Sequence, residues 1–263
     1  NTTRTAELAE PYQTPILAVG STEPGISQKS RHLFRLTSTP KLEIEALVWF
    51  AHDSLSIENF VIISPSTEYG RKMSHWFESE VEKYGKTVVG KREFRPGETD
   101  FRSQLSSIKG LNFQAIFFPA DAKTAAMMAP QLQFHDIRST FVLGLSNWSS
   151  LNLTKIGGEY VEGFYYADAY FPQDHLSSAR HFLEIYQDMY KETPNRMAVF
   201  GYEAAHLLLN AVCKNNVRSR QQMSRFLRTT KDFPGVTGSL SNGPTGEFKR
   251  PVFIMRKQGK LAV

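Results

Sequence analysis

The sequence predicts an α/β protein built on a mainly parallel sheet covered by helices. Three observations carry that prediction. A short apolar run, a polar turn and a helix-like segment succeed one another repeatedly along the chain. The helix-like segments space their apolar residues three and four apart, which gives each one face to bury. Glycines such as Gly85 and Gly110 stand where those segments end, before the next apolar run.

Taken in order, the first strand is Ile16 to Gly20 (ILAVG), which leaves into STEPGISQ. The next, Phe60 to Ser64 (FVIIS), leaves through PSTEYG into a helix on which Met73, Trp76, Phe77, Val81 and Tyr84 share a face. Phe101, Leu105 and Ile108 mark a further helix. Ala115 to Phe118 (AIFF) leads into PADAKTAAMMAPQLQFHD, and Phe141 to Gly144 (FVLG) into LSNWSSLNLTKIGG. The chain then turns helical, with HLSSARHFLEIYQDMYKETP, NRMAVFGYEAAHLLLNAV and RQQMSRFLRTT, and ends in Gly-rich turns and a closing strand. Phe34 to Leu42, Ala167 to His175 and Gly246 to Val252 read as crossings between lobes.

With 263 residues, 41% hydrophobic and 22% charged, the chain is long and apolar enough to bury a core in one large unit or two smaller lobes. No apolar run approaches the roughly 20 residues of a membrane span. Cys213 is the only cysteine, so no disulfide within the chain and no cysteine-rich metal site is available, and its place in LLLNAVCKNN predicts a buried thiol. The net charge of +5 comes from Lys and Arg that are scattered rather than blocked, which predicts a solvated basic surface and no nucleic-acid partner. The seven histidines show no His-Glu-x-x-His spacing, and Gly-x-Ser-x-Gly, the phosphate loop and the dinucleotide fingerprint are absent from the sequence. No cofactor or metal is called for, and no enzyme is predicted. Glu78, Glu80 and Glu82 lie among lysines and read as the solvated face of their helix.

In an open α/β sheet the loops leaving the C-terminal strand ends collect on one edge, and ligands bind there. Ser66 to Gly70 with Tyr69 form such a loop, as do Ser21 and Thr22, Asp121, and Ser146, Asn147 and Trp148. Hydroxyls, a carboxylate and aromatic rings suit a small polar organic ligand. The same residue types also cap helices and make turns, and both readings stand open for each residue singly.

On these segments the chain resembles the type I periplasmic solute-binding proteins of the branched-chain amino acid (leucine/isoleucine/valine) class. The likeness runs in order through TPILAVGSTEP, HLFRLTSTP, FVIISPSTEYGRKMSHWFESEVEKYGKTVV and FRPGETDFRSQLSSIKGLNFQAIFFPADAKTAAMMAPQLQ. It continues through GGEYVEGFYYADAY, FGYEAAHLLLNAV and FPGVTGSLSNGPTGEFKRPVFIMRKQGK, and so covers essentially the whole chain. The resemblance implies two α/β lobes joined by crossings, with a ligand in the cleft between them. It implies a remnant of the first lobe over 1–40, the second lobe over 41–169, a return to the first over 170–245, and a crossing with the closing strand over 246–263. That family's first lobe opens with a further half-domain, so the first lobe here is expected to be incomplete, with room upstream for a signal or lipid anchor.

Carried over residue by residue, the resemblance gives Ser21 and Thr22 as the loop holding a ligand carboxylate, with Thr2 and Thr3 in a second such loop. Tyr69 is the aromatic contributed by the second lobe, Asp121 a further polar contact, and Tyr202 the late aromatic of the first lobe. Members that bind amino acids usually carry an acid after the strand that is here Phe141 to Gly144. This chain reads LGLSNWSS there, with Ser146 at the expected place of the acid, so an aromatic acid or other amine-free solute packed on Trp148 and Tyr69 is favoured unless Asp121 holds an ammonium. The function implied is non-catalytic solute binding outside the cytoplasm, as part of an ABC-type uptake system with a membrane permease. Lipoproteins that activate peptidoglycan synthases share the fold, which gives the alternative of a module engaging a cell-envelope protein.

Overall fold

The computed structural model describes residues 2–21, 25–137, 140–171, 177–258 and 261–262. Its first elements are α1 (Thr2–Ala9), β1 (Ile16–Ala18), β2 (Leu33–Arg35), α2 (Pro40–Asp53), β3 (Asn59–Pro65), α3 (Glu68–Lys83) and β4 (Thr87–Phe94). Then come α4 (Arg102–Ile108), β5 (Ala115–Phe117), α5 (Ala122–Phe134), β6 (Phe141–Gly144), α6 (Leu151–Gly157) and β7 (Tyr165–Asp168). The last are α7 (Ser177–Tyr190), α8 (Arg196–Cys213), α9 (Arg220–Thr229), β8 (Phe233–Gly235), β9 (Gly238–Asn242), β10 (Phe248–Lys249), β11 (Phe253–Gln258) and β12 (Leu261–Ala262).

The chain divides into two compact units, Asn1–Thr39 with Ala169–Val252, and Pro40–Asp168 with Phe253–Val263. The chain passes from the first unit to the second at Val252/Phe253, the end of the 246–252 segment read from sequence as a crossing, whose residues up to Val252 belong to the first unit, where Phe248 pairs with Asn242 and Lys249 with Ser241 across β10 and β9. The 167–175 crossing lies partly outside the described residues.

The second unit holds a seven-stranded sheet in the order β12-β11-β7-β6-β5-β3-β4. Strands β3 to β7 run parallel to their neighbours, and β11 closes antiparallel on β7 with Phe253 opposite Asp168. The centre of β3 is buried from Phe60 to Ser64, as a strand covered on both faces must be. Beside it, α3 buries Met73, Phe77 and Val81 at helical spacing, and the Phe77 ring stacks on Phe117 with centroids 4.0 Å apart. Tyr84 falls just past the helix as its C-cap. Glu80 departs from the expected solvated face: it is 7% exposed and pairs with Lys83, covering its charge one turn along the helix.

The first unit contains the parallel pair β1–β2, with Ile16 opposite Leu33, and a three-stranded antiparallel sheet β10-β9-β8. The sequence reading leaves the latter as Gly-rich turns. Gly238 and Gly246 adopt positive φ at the tight returns that let such short strands pair. Helices α8 and α9 cover these strands through Leu207 and Leu227, packed with Phe34, Leu36, Phe233, Leu240 and Phe248. Cys213 is exposed rather than buried, because α8 ends there with Leu207 and Ala211 on its inner face.

Candidate functional site

In the second unit, the turn after β3 is shaped by its own backbone. Thr67 caps α3 and its Oγ1 accepts from the Gly70 N–H at 3.1 Å, while the Thr67 N–H donates to Pro65 O at 2.7 Å. Ser66 N–H donates to Phe94 O at 2.8 Å, which ties the turn to β4. Gly70 is required here because a Cβ would fall on the Pro65 carbonyl oxygen. This packing presents Tyr69 on the first turn of the helix with 41% of its surface exposed.

Residues of two other segments join this turn, Glu43 of α2 and Ser146 of the loop after β6. Glu43, from the first turn of α2, is buried, and its Oε2 accepts the Ser146 backbone N–H at 3.0 Å. The Tyr69 phenol is pushed up to about 12, first by desolvation and then by the Glu43 carboxylate, so Tyr69 and Ser146 share Glu43 as a neighbour. Tyr69 thus keeps 41% of its surface exposed while its phenol is desolvated. Glu43 was missed by the sequence reading, yet KLEIEAL places it four residues before Leu47 on the buried stripe of α2, an unusual place for an acid.

Asp121 and Trp148 are used differently. Asp121 caps α5, with one oxygen accepting the Thr124 N–H and the other its hydroxyl, both at 2.9 Å. Trp148 is 1% exposed, its Nε1–H donates to Ala120 O at 2.8 Å, and its ring fills the space where a Gly144 side chain would stand. Asn147 donates to the same carbonyl at 2.7 Å. The Trp148 indole is thus a core plug that joins the β5 and β6 loops, not an exposed stacking surface.

In the first unit, Ser21 follows β1 and lines a hollow of about 620 Å³ with Thr2, Thr3, Thr5 and Gly20. Thr22 lies outside the described residues. Tyr202, on α8, is 43% exposed and packs on Phe182 with centroids 4.6 Å apart. Met197 of the same helix lies 3.8 Å from a Cβ built on Gly20, so α8 borders the turn that carries Ser21. Tyr202 itself does not line the hollow. Among the described residues no cluster of three or more His, Cys, Asp or Glu side chains has the placement to hold a metal.

The pKa pattern has a measurable consequence. Tyr166, in β7, is also pushed up to about 12, by burial first and then by Asp168, against a lowering hydrogen bond from Ser149. A phenol whose folded value lies above its ordinary 10 contributes stability below pH 10 that is lost as pH rises toward 12, because the unfolded chain releases the proton first. Thermal unfolding midpoints are expected to fall across pH 10–12, and Tyr69→Phe to flatten part of that fall. Phenolate absorbance reporting every tyrosine ionised near pH 10 would contradict it.

Three comparisons relate the chain as a whole to known proteins. The family model described as "Periplasmic binding protein" matches residues 1–260. The Leu/Ile/Val-binding protein homolog 1 of Brucella abortus is 21% identical over 213 residues, and the match takes in 81% of this chain but only 57% of that relative. The leucine-binding protein LivK from Thermotoga maritima superposes with a TM-score of 0.84 at 24% identity, covering 100% of this chain and 75% of that one. A solute-binding protein of an ABC transporter from R. palustris, in complex with benzoate, gives 0.78 at 15% identity, covering 98% and 72%.

Proposed function

Because the chain belongs to the periplasmic binding protein family, we propose that it binds a small polar organic solute without transforming it, as the extracytoplasmic component of an ABC-type uptake system. The observation that carries this reading is the grouping of Tyr69, the Ser146 loop and Glu43 at the C-terminal edge of a parallel sheet. A partly exposed tyrosine beside a carboxylate and a serine offers apolar contact and oriented hydrogen bonds, the usual composition of a small-molecule site. Relatives named for leucine and seen with benzoate support a solute that is amino-acid-like or an aromatic acid. The relatives named above are described by solute binding or transport, and none by regulation of a cell-envelope enzyme. A membrane permease is the partner this role requires.

A thermal-shift screen against amino acids, aromatic acids and other small polar metabolites tests the reading. Binding to the native state raises the midpoint saturably, by about 2.7 kcal/mol of added stability at a hundredfold excess over Kd. Tyr69→Ala is expected to weaken the solute so found by about 10- to 100-fold while the circular dichroism spectrum stays unchanged. Unchanged affinity would remove Tyr69 from the site. Ser21, the first unit's strand-end hydroxyl, is tested by its own substitution to alanine.

A further inference from the structure

We propose that the first unit carries a second binding site, which receives a phosphate group in a hollow walled by Arg31, Arg225 and Arg228. The hollow measures about 350 Å³, and Gln13, His32 and Ser224 complete its lining. Gln13 lies before β1, Arg31 and His32 lie before β2, and those strands run parallel. The hollow therefore sits at their N-terminal ends, whereas Ser21 follows the C-terminal end of β1. The site is separate from the solute site, and the proposal does not depend on the solute-binding reading.

The three cations stand far apart or a turn apart in the sequence and share one hollow only in the folded chain. All three are exposed, and none forms an ion pair among the described residues. No acid lines the hollow to offset their mutual repulsion, and Glu10, which accepts from the Ser30 hydroxyl, stays outside the lining. The walls are held in place. The Arg228 guanidinium lies 5.4 Å from the centroid of the Phe34 ring, and its Nη2 donates to the Arg31 carbonyl oxygen. His32 Nδ1 is hydrogen-bonded to Oγ of the buried Ser224 at 3.0 Å, which anchors the ring on α9 and leaves its Nε2 without a partner among the described residues. Gln221 Nε2 donates to Gln13 Oε1 at 3.2 Å and ties α9 to the turn before β1.

A guanidinium presents its N–H donors as a planar fork that matches the oxygens of a phosphate or carboxylate. Three such forks exceed what the two oxygens of one carboxylate can occupy, whereas a phosphate offers more acceptors and more charge. The hollow has room for a phosphate with a small substituent, which fits both a soluble phosphate and the headgroup of an anionic lipid.

The test titrates inorganic phosphate, and sodium acetate beside it, calorimetrically into the whole chain at about 0.15 M salt, where diffuse attraction between exposed charges is screened. Phosphate is expected to bind saturably and at least tenfold more tightly than acetate. The double variant Arg31→Gln with Arg225→Gln, both at exposed positions, is expected to weaken phosphate at least tenfold with an unchanged unfolding midpoint. Cosedimentation with phosphatidylglycerol vesicles, against phosphatidylcholine vesicles, separates the sources. Retention on the anionic vesicles that the double variant loses upholds the site and assigns it to a lipid headgroup. Phosphate binding that the double variant loses, without vesicle retention, upholds it and assigns a soluble phosphate. Binding of neither probe, equal affinity for acetate and phosphate, or binding that survives in the double variant overturns the proposal and leaves the solute-binding reading untouched. If the double variant does not fold, Arg225→Gln alone is read in the same way.

Discussion

Replacing Arg250 by alanine is expected to destabilise the protein by about 3–5 kcal/mol, read by urea unfolding, because it strands a buried carboxylate. The Arg250 and Glu203 side chains are both 0% exposed and form an ion pair. Glu203 Oε1 also accepts the Thr237 N–H at 3.0 Å and its hydroxyl at 3.1 Å, and the Arg250 guanidinium lies 4.1 Å from the centroid of Phe200. Glu203 comes from α8, Thr237 from the β8–β9 turn and Arg250 from the residues after β10. One carboxylate thus pins the returning chain of the first unit to its central helix. Removing both charges together, as Glu203→Gln with Arg250→Met, is expected to cost less than Arg250→Ala alone, since what is expensive is the unpaired charge. A single-variant loss below about 1 kcal/mol would show that the pair is solvated in solution.

The second large effect is expected at Gly70. A methyl group there would fall on the Pro65 carbonyl oxygen and 2.9 Å from its carbon, which is backbone and cannot rotate away. Gly70→Ala is expected to cost about 3 kcal/mol of stability, the upper range for overpacking. It also moves the turn that holds Tyr69, so solute affinity should fall with stability. Thermal unfolding and titration of the same variant read both. A variant with native stability and reduced affinity would separate the turn's two roles and refute the packing argument.

What was legible in the sequence follows from how each element is buried. The strands beginning at Phe60, Ala115 and Phe141 are apolar runs enclosed on both faces, and such runs bounded by polar turns stand out in a single sequence. β4 was legible only as the return of the chain after Gly85, because most of TVVGKREF is exposed or half-buried at the sheet's edge and only Phe94 is buried. β8 to β10 escaped notice because two or three pairs per strand leave no periodicity to read. Of the candidate site, the exposed position of Tyr69 at the start of α3 was legible from the turn that carries it. Trp148 was not, since a Trp in a strand-end loop reads as a ligand contact until its ring is found filling the space over Gly144. Glu43 was hidden among the acids of KLEIEAL, where only its spacing to Leu47 distinguished a buried carboxylate from a solvated one.

The central claim is that this protein holds a solute and returns it unaltered. Isothermal titration of the solute found by screening, followed by release and mass analysis, tests it most directly. The account predicts saturable one-to-one binding, weakened by Tyr69→Ala, with the solute recovered chemically unchanged. Recovery of a converted product in proportion to protein and time, or heat that never saturates, would contradict it.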